Sequence, residues 1–247
     1  MDDGTANMDE LTGLKTVERH ELWEWVHASI RDAIILGKMP QKTRLIEDDI
    51  ASKLGVSRWP VRQAITRLEQ EGLVERLPHR GAYVIALDAE EATRVYALRI
   101  LLECFAAKAA AVHIQPEHLL RLRDITKEHV ETAKNRDYLG YCKMDTEFHR
   151  TILLISESKR LIDMWELLLP AIQVLVVMGA REDQNLAQGI QERHEEIILA
   201  LSKKDDKIIE AAIRKHLVEA EARALRMLKK IGTESARRSN GYTADRR

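Results

Sequence analysis

Most features that would mark this chain as a specialised class are scarce or missing. Two cysteines, Cys104 and Cys142, cannot build a disulfide framework, and they lack the C-x-x-C spacing of a structural zinc site. Free thiols in a cytoplasmic protein are the expectation. With 5 Pro, 11 Gly and 4% aromatics, the composition favours helices over a turn-rich β-sandwich. No apolar run approaches the roughly 18 residues of a transmembrane helix. The longest, Leu167 to Ala180, is interrupted by Pro170 and Gln173, so no membrane partner is expected. The N-terminus is acidic and polar, without the basic and apolar regions of a secretory signal. Charge of one sign is not in excess either: 39 Lys+Arg face 40 Asp+Glu, a formal net charge of -1. A polybasic surface is excluded, and any nucleic-acid contact must be local. There is no internal repeat.

Hydrophobic residues at 45% and charged residues at 32% are enough for a packed core. Residues 1–14 carry no periodicity and read as a flexible N-terminus. Leu22, Val26, Ile30, Ala33 and Ile34 recur at helical spacing, with Gly37 as a stop and Pro40 beyond it. After the link QKTRL, a second helix is expected over 47–54. Its first turn, Glu47-Asp48-Asp49, suits the positive end of a helix dipole, and Gly55 can cap its end. Ser57 is a good N-cap for a third helix. Pro60 then falls at the third helical position, where its missing N–H would have had no partner. Val61, Ala64, Ile65 and Leu68 make the buried stripe, Arg62, Gln63 and Thr66 point away, and Gly72 ends the helix. Residues 73–77 and 82–85 flank Pro-His-Arg-Gly as a hairpin.

Beyond Leu87 the pattern is helical to about Ile231, with segments near 89–112, 116–134, 137–155, 159–180, 187–202 and 205–230. Pro116, Pro170 and Gly189 interrupt or bound these segments. The predicted architecture is mainly α: a winged helix-turn-helix over 15–87, an all-α antiparallel bundle over 88–231, and a disordered tail over 232–247.

In a winged helix-turn-helix, the N-terminal residues of the recognition helix reach base edges while their neighbours grip phosphates. Arg58 and Arg62 sit at that end, and Arg suits both guanine and phosphate. The stretch 30–85 resembles the DNA-binding domain of the GntR family of bacterial transcription regulators. The matching features are Ile34-Leu36-Gly37, Leu45, Glu47, Ile50-Ala51, Leu54-Gly55-Val56-Ser57-Arg58, Pro60-Val61-Arg62, Ala64-Ile65, Leu68, Gly72-Leu73-Val74 and Gly81. The resemblance implies that Arg58 and Arg62 read or grip the operator, Ser57 bonds a phosphate, and Arg44 contacts another. It also implies that His79, Arg80 and Gly81 form a wing tip in the minor groove. Two positions depart from the family. Asp48 stands where Arg is common, and Trp59 stands where a small residue is usual, placed to pack on a DNA sugar, on a thymine methyl or on the protein alone.

The helical remainder puts polar residues on apolar stripes. Tyr138, Tyr141, Cys142, Asp145, Phe148, His149 and Ile152 share one face, with Asp145 and His149 one turn apart. His194 lies on the stripe of Ile190, Ile197, Ile198 and Leu201, and His216 on that of Ile209, Ala212, Ile213, Leu217 and Ala220. If the last two helices are antiparallel about a turn at 203–206, His194 and His216 are both roughly 16 Å from it and meet at one level. One Asp and three His facing one interior can hold Zn²⁺ or another divalent transition metal such as Ni²⁺.

Residues 90–217 resemble the FCD ligand-binding domain of the FadR branch of the same family. The marks are Val95-Tyr96-Ala97-Leu98-Arg99 with Glu103 and Ala106, Asp145-x-x-Phe148-His149-Arg150, Glu192-Arg193-His194-x-x-Ile197 with Ala200, Asp205 and Ala211, and His216-Leu217. Ser158 replaces an Asn often seen there. The resemblance implies that Asp145, His149, His194 and His216 hold a divalent metal, and that Arg99, with Tyr96 beside it, grips the carboxylate of a small organic acid effector. The resulting expectation is a cytoplasmic transcription regulator, a homodimer on a pseudo-palindromic operator, controlled by that effector. A metal-responsive regulator and a regulator with a purely structural metal are the alternatives. A metal-dependent hydrolase is disfavoured, because no motif supplies a general base.

Overall fold

The structure is a computed structural model that describes residues 19–244, with side chains described over 22–233. The expected flexible segment 1–14 lies outside the described residues. The N-terminal unit contains α1 (Arg19–Ile35), β1 (Arg44–Leu45), α2 (Glu47–Leu54), α3 (Arg58–Gln70), β2 (Val74–Leu77) and β3 (Gly81–Val84). The helical unit contains α4 (Ala89–His113), α5 (Pro116–Lys134), α6 (Tyr138–Ile155), α7 (Lys159–Glu182), α8 (Leu186–Lys203) and α9 (Asp206–Ala244). The mainly-α, winged helix-turn-helix plus bundle architecture is therefore present.

Local chemistry explains the boundaries. Gly55 adopts φ 66° and donates back to Ala51 and Ser52 carbonyls, closing α2 in the left-handed conformation that glycine tolerates best. Ser57 is extended at the N-cap of α3, and Pro60 is its third residue. Pro60, Val61, Ala64, Ile65 and Leu68 are the buried residues of α3, and α1 covers them through Val26, Ile30 and Ile34. The hairpin pairs Val74 with Val84 and Leu77 with Gly81. QKTRL is more than a link: Arg44 and Leu45 pair with Tyr83 and Ala82, so the sheet order is β1-β3-β2. A two-residue strand leaves no periodicity to read.

In the bundle, Asp88 caps α4 by accepting from the Glu91 N–H at 2.8 Å. Lys204, at φ 54°, turns α8 into α9. Pro116 begins α5, as expected, but Pro170 and Gly189 interrupt nothing and lie within α7 and α8. Burial explains the tolerance. The α7 stretch Ile172 to Val177 is enclosed by neighbouring helices, so its packing outweighs one missing hydrogen bond. By length and composition α7 could cross a membrane, yet it packs against α4, α6 and α9. The expected disordered tail from 232 also differs: α9 continues to Ala244. That stretch has two glycines and no proline, which weakens a helix without stopping it.

The two units meet along α1 and α7. Arg31 donates to the Gln173 side chain, and Arg181 Nη2 donates to the Leu36 carbonyl at 2.7 Å.

Candidate metal centre and DNA-binding face

Asp145 and His149 come from α6, His194 from α8 and His216 from α9, and all four are buried. Each contributes one donor atom, and these atoms lie within 4.8 Å of one another. The rings of His194 and His216 are 5.4 Å apart, so the two histidines meet at one level as the turn arithmetic requires.

The surroundings set the tautomers. His149 Nδ1 is 2.6 Å from Glu103 Oε2, which leaves Nε2 to point inward. Thr126 Oγ1 donates to the Leu122 carbonyl at 2.8 Å, so at 3.3 Å it can only accept from His194 Nδ1–H. His194 Nε2 then carries a lone pair, and the ring is held flat against Phe148 at 3.8 Å. The Nε2 atoms of His149 and His216 approach to 3.2 Å. That separation suits an N–H···N hydrogen bond and equally suits two ring nitrogens turned toward a shared cation. A tetrahedral zinc with Zn–N near 2.0–2.1 Å spaces its nitrogens by about 3.3 Å. Burial, reinforced by neighbouring histidines, drives His194 and His216 well below the ordinary histidine range, so both are neutral and ready to ligate. The donor set fits a divalent transition metal.

Arg99 stands behind this centre. Its Nε donates to Glu103 Oε1 at 2.5 Å, and its Nη2 is 3.5 Å from Asp145 Oδ2. Trp165 Nε1 also donates to Glu103 Oε1, at 2.9 Å. Burial opposes the Glu103 charge, but Arg99, His149 and Trp165 outweigh it and hold the carboxyl at about 2. Arg99 is thus placed as the buried partner of Glu103 and Asp145. Tyr96, one turn earlier, lines a cavity of about 20 Å³ beside the four donors. Burial pushes its hydroxyl up to about 12.

Sequence reasoning missed several residues here. Glu103 was only a family mark, although its i,i+4 spacing from Arg99 was a readable signal. Thr126 and His129 lie on the inner face of α5, three residues apart. His129 is fully buried, 4.2 Å from the Tyr141 ring, and burial lowers it to about 4.

On the other unit, Arg44, Ser57, Arg58, Trp59, Arg62, His79 and Arg80 are all exposed. The Ser57 side chain makes no capping bond. Trp59 is 50% exposed. The wing tip carries two left-handed residues, His79 at φ 60° and Gly81 at φ 97°. The Arg44 guanidinium lies against it, 3.6 Å from where a Gly81 Cβ would stand. The acidic first turn of α2 faces the start of α3. Arg62 donates to both oxygens of Glu47, from Nε to Oε1 at 3.2 Å and from Nη2 to Oε2 at 2.9 Å, and Asp48 pairs with Arg58. Asp48 thus holds one of the recognition arginines.

The comparisons agree with both units. Residues 22–84 match the model of bacterial regulatory proteins of the gntR family, and residues 94–219 match the FCD domain. An uncharacterised HTH-type transcriptional regulator of Agrobacterium vitis is 34% identical over 128 residues, 51% of this chain and 75% of that protein. A probable D-xylose utilisation operon transcriptional repressor of Paenarthrobacter nicotinovorans is 28% identical over 196 residues, 78% of this chain and 85% of that protein. Among solved structures, a transcriptional regulator of Rhodococcus superposes with a TM-score of 0.65 at 26% identity, covering 83% of this chain and 98% of the other.

Proposed function

Because this chain belongs to the GntR family of bacterial regulatory proteins and carries an FCD domain, we propose that it represses transcription by binding an operator that a small organic acid makes it release. The family regulates transcription, and its members are not enzymes. The observation that carries the ligand-controlled part is the convergence of Asp145, His149, His194 and His216 on one buried point beside a polar cavity. Zinc is the favoured metal, with nickel or another divalent ion as the alternative, because three imidazoles and one carboxylate suit these ions. Four protein ligands would fill a tetrahedral zinc, so oxygens of a small acid would need an ion that expands its coordination, as a six-coordinate one with two further positions does. Tyr96 lines that cavity, and Arg99 acts on the acid through Asp145 and Glu103. This reading belongs to the FadR branch of the family, at work in the cytoplasm.

On the DNA side, Arg44, Ser57, Arg58, Trp59, Arg62, His79, Arg80 and Gly81 form the operator-contacting face. A homodimer on a pseudo-palindrome is supported by an apolar strip that one chain leaves uncovered. Leu98, Leu101 and Phe105 of α4 and Met164 and Leu167 of α7 are 47–81% exposed, and α4 and α7 pack side by side. The test is metal analysis of the purified protein, then operator binding with carboxylic acids added, with and without a chelator. Acid-induced release that needs the metal supports the proposal. Release unaffected by chelation favours a structural metal, and release by metal alone favours a metal sensor.

A further inference from the structure

Besides Asp145, His194 and His216, the cavity is lined by polar groups that metal ligation does not use, Tyr96, His129, Arg193 and Arg223 among them. His129 is fully buried with neither ring nitrogen hydrogen-bonded. The Tyr96 hydroxyl and Arg193 Nε on the cavity wall are likewise buried and lack hydrogen-bond partners, as does Nδ1 of the donor His216. Buried polar atoms cost free energy when their hydrogen bonds are left unmade, so several around one cavity suit a polar ligand. Two guanidiniums, Arg193 of α8 and Arg223 of α9, share a single acid: Asp183 Oδ2 is 3.2 Å from Arg193 Nη2 and 3.8 Å from Arg223 Nε. Both arginines line the cavity with His129.

Charge points the same way. Arg99, Arg193 and Arg223 are balanced by Glu103, Asp145 and Asp183 around the cavity. A divalent metal adds two positive charges that no side chain cancels, and uncompensated buried charge is costly. We propose that the effector is a dianionic organic acid: one acid group on the metal, the second on the Arg193–Arg223 pair beside Asp183, with His129 and Tyr96 bonding the atoms between. This deepens the function proposed above and rests on its metal centre. The pair is well suited to the task, because each guanidinium offers a planar fork to carboxylate oxygens. The cavity of about 20 Å³ has room for about one water, so the helices must part slightly to admit the acid.

The test is calorimetry on the zinc-loaded full chain with straight-chain dicarboxylates of three to six carbons and the monocarboxylates of equal length. At least one dicarboxylate should bind about tenfold or more tightly than its matched monocarboxylate. That gap should vanish in Arg193→Gln and Arg223→Gln and partly return in Arg223→Lys, with zinc content unchanged throughout. Equal affinity for both series, no binding of any dicarboxylate, or a gap that survives the double Gln variant overturns the proposal. Should a Gln variant fail to fold, His129→Phe provides the second reading, as loss of dicarboxylate affinity at full zinc content. Failure to retain zinc in the wild type would instead refute the metal centre itself.

Discussion

Arginine–carboxylate pairs do opposite work in the two units. In the DNA-binding unit, Arg62 and Glu47 form a bidentate pair with side chains 60% and 27% exposed. In the bundle, Arg99 meets Glu103 through a single bond, Nε to Oε1, at 1% and 3% exposure. Water screens the first pair, and such surface pairs contribute about 0–1 kcal/mol. The second has no solvent to fall back on, so removing one partner costs about 3–5 kcal/mol. The exposed pair is exchangeable, which is what the DNA contact proposed for Arg62 requires. The buried pair is permanent, as befits a support for His149.

The largest effect follows from the buried side. Arg99→Ala strands Glu103 and should lower unfolding stability by about 3–5 kcal/mol in urea titrations. The double variant R99M/E103L removes both charges and should recover most of that loss. It should also weaken metal binding by about 10–100-fold, because His149 loses the group that orients it. If the double variant is no more stable than Arg99→Ala, the pair is not the source of the effect.

Metal removal comes next. A metal that binds only the folded state at about 1,000 times its Kd adds about 4.1 kcal/mol. Chelation should therefore lower the wild-type Tm markedly and leave His194→Ala,His216→Ala unmoved. A chelator-sensitive Tm in that variant would place the metal elsewhere.

How far the sequence disclosed this contrast depends on the range of the forces involved. Helix α2, the start of α3 after Ser57 and the hairpin rest on local chemistry, and the structure places them where periodicity and turn residues put them, although the Ser57 side chain makes no capping bond. The meeting of His194 and His216 needed only a turn position and a rise per residue. What the chain conceals is partnership across elements. The pairing of β1 with β3, the grip of Glu47 on Arg62 and the sharing of Asp183 between α8 and α9 all join residues that sequence spacing does not relate. Pro170 and Gly189 mislead for the same reason: tertiary burial overrides local propensity. Glu103 is the exception, one turn from Arg99 and legible by spacing alone.

On the exposed side, Arg58→Ala and Arg62→Ala should each cost about 1–3 kcal/mol of operator discrimination. Stability should stay within about 0.5 kcal/mol of wild type, as for surface changes that break no cap or core contact. Fluorescence anisotropy with operator and scrambled duplexes, beside thermal melts, separates the two readouts. A stability loss as large as that of Arg99→Ala would erase the distinction between the pairs.

The smallest effect is the most informative about that distinction. Glu47→Gln keeps the shape of the side chain but removes the charge that holds Arg62. Stability should fall by no more than about 1 kcal/mol, part of it from the helix dipole of α2, which loses one of three acids in its first turn. If Glu47 competes with DNA for Arg62, freeing the guanidinium should tighten operator binding by a few-fold. It should also steepen the dependence of log K on log salt by about 0.9 if Arg62 then takes up a phosphate. If Glu47 instead orients Arg62 for a guanine edge, the same change should weaken operator binding and leave the salt slope alone. The direction of one modest change, measured at two salt concentrations, therefore decides whether the exposed pair is a brake on binding or a brace for recognition.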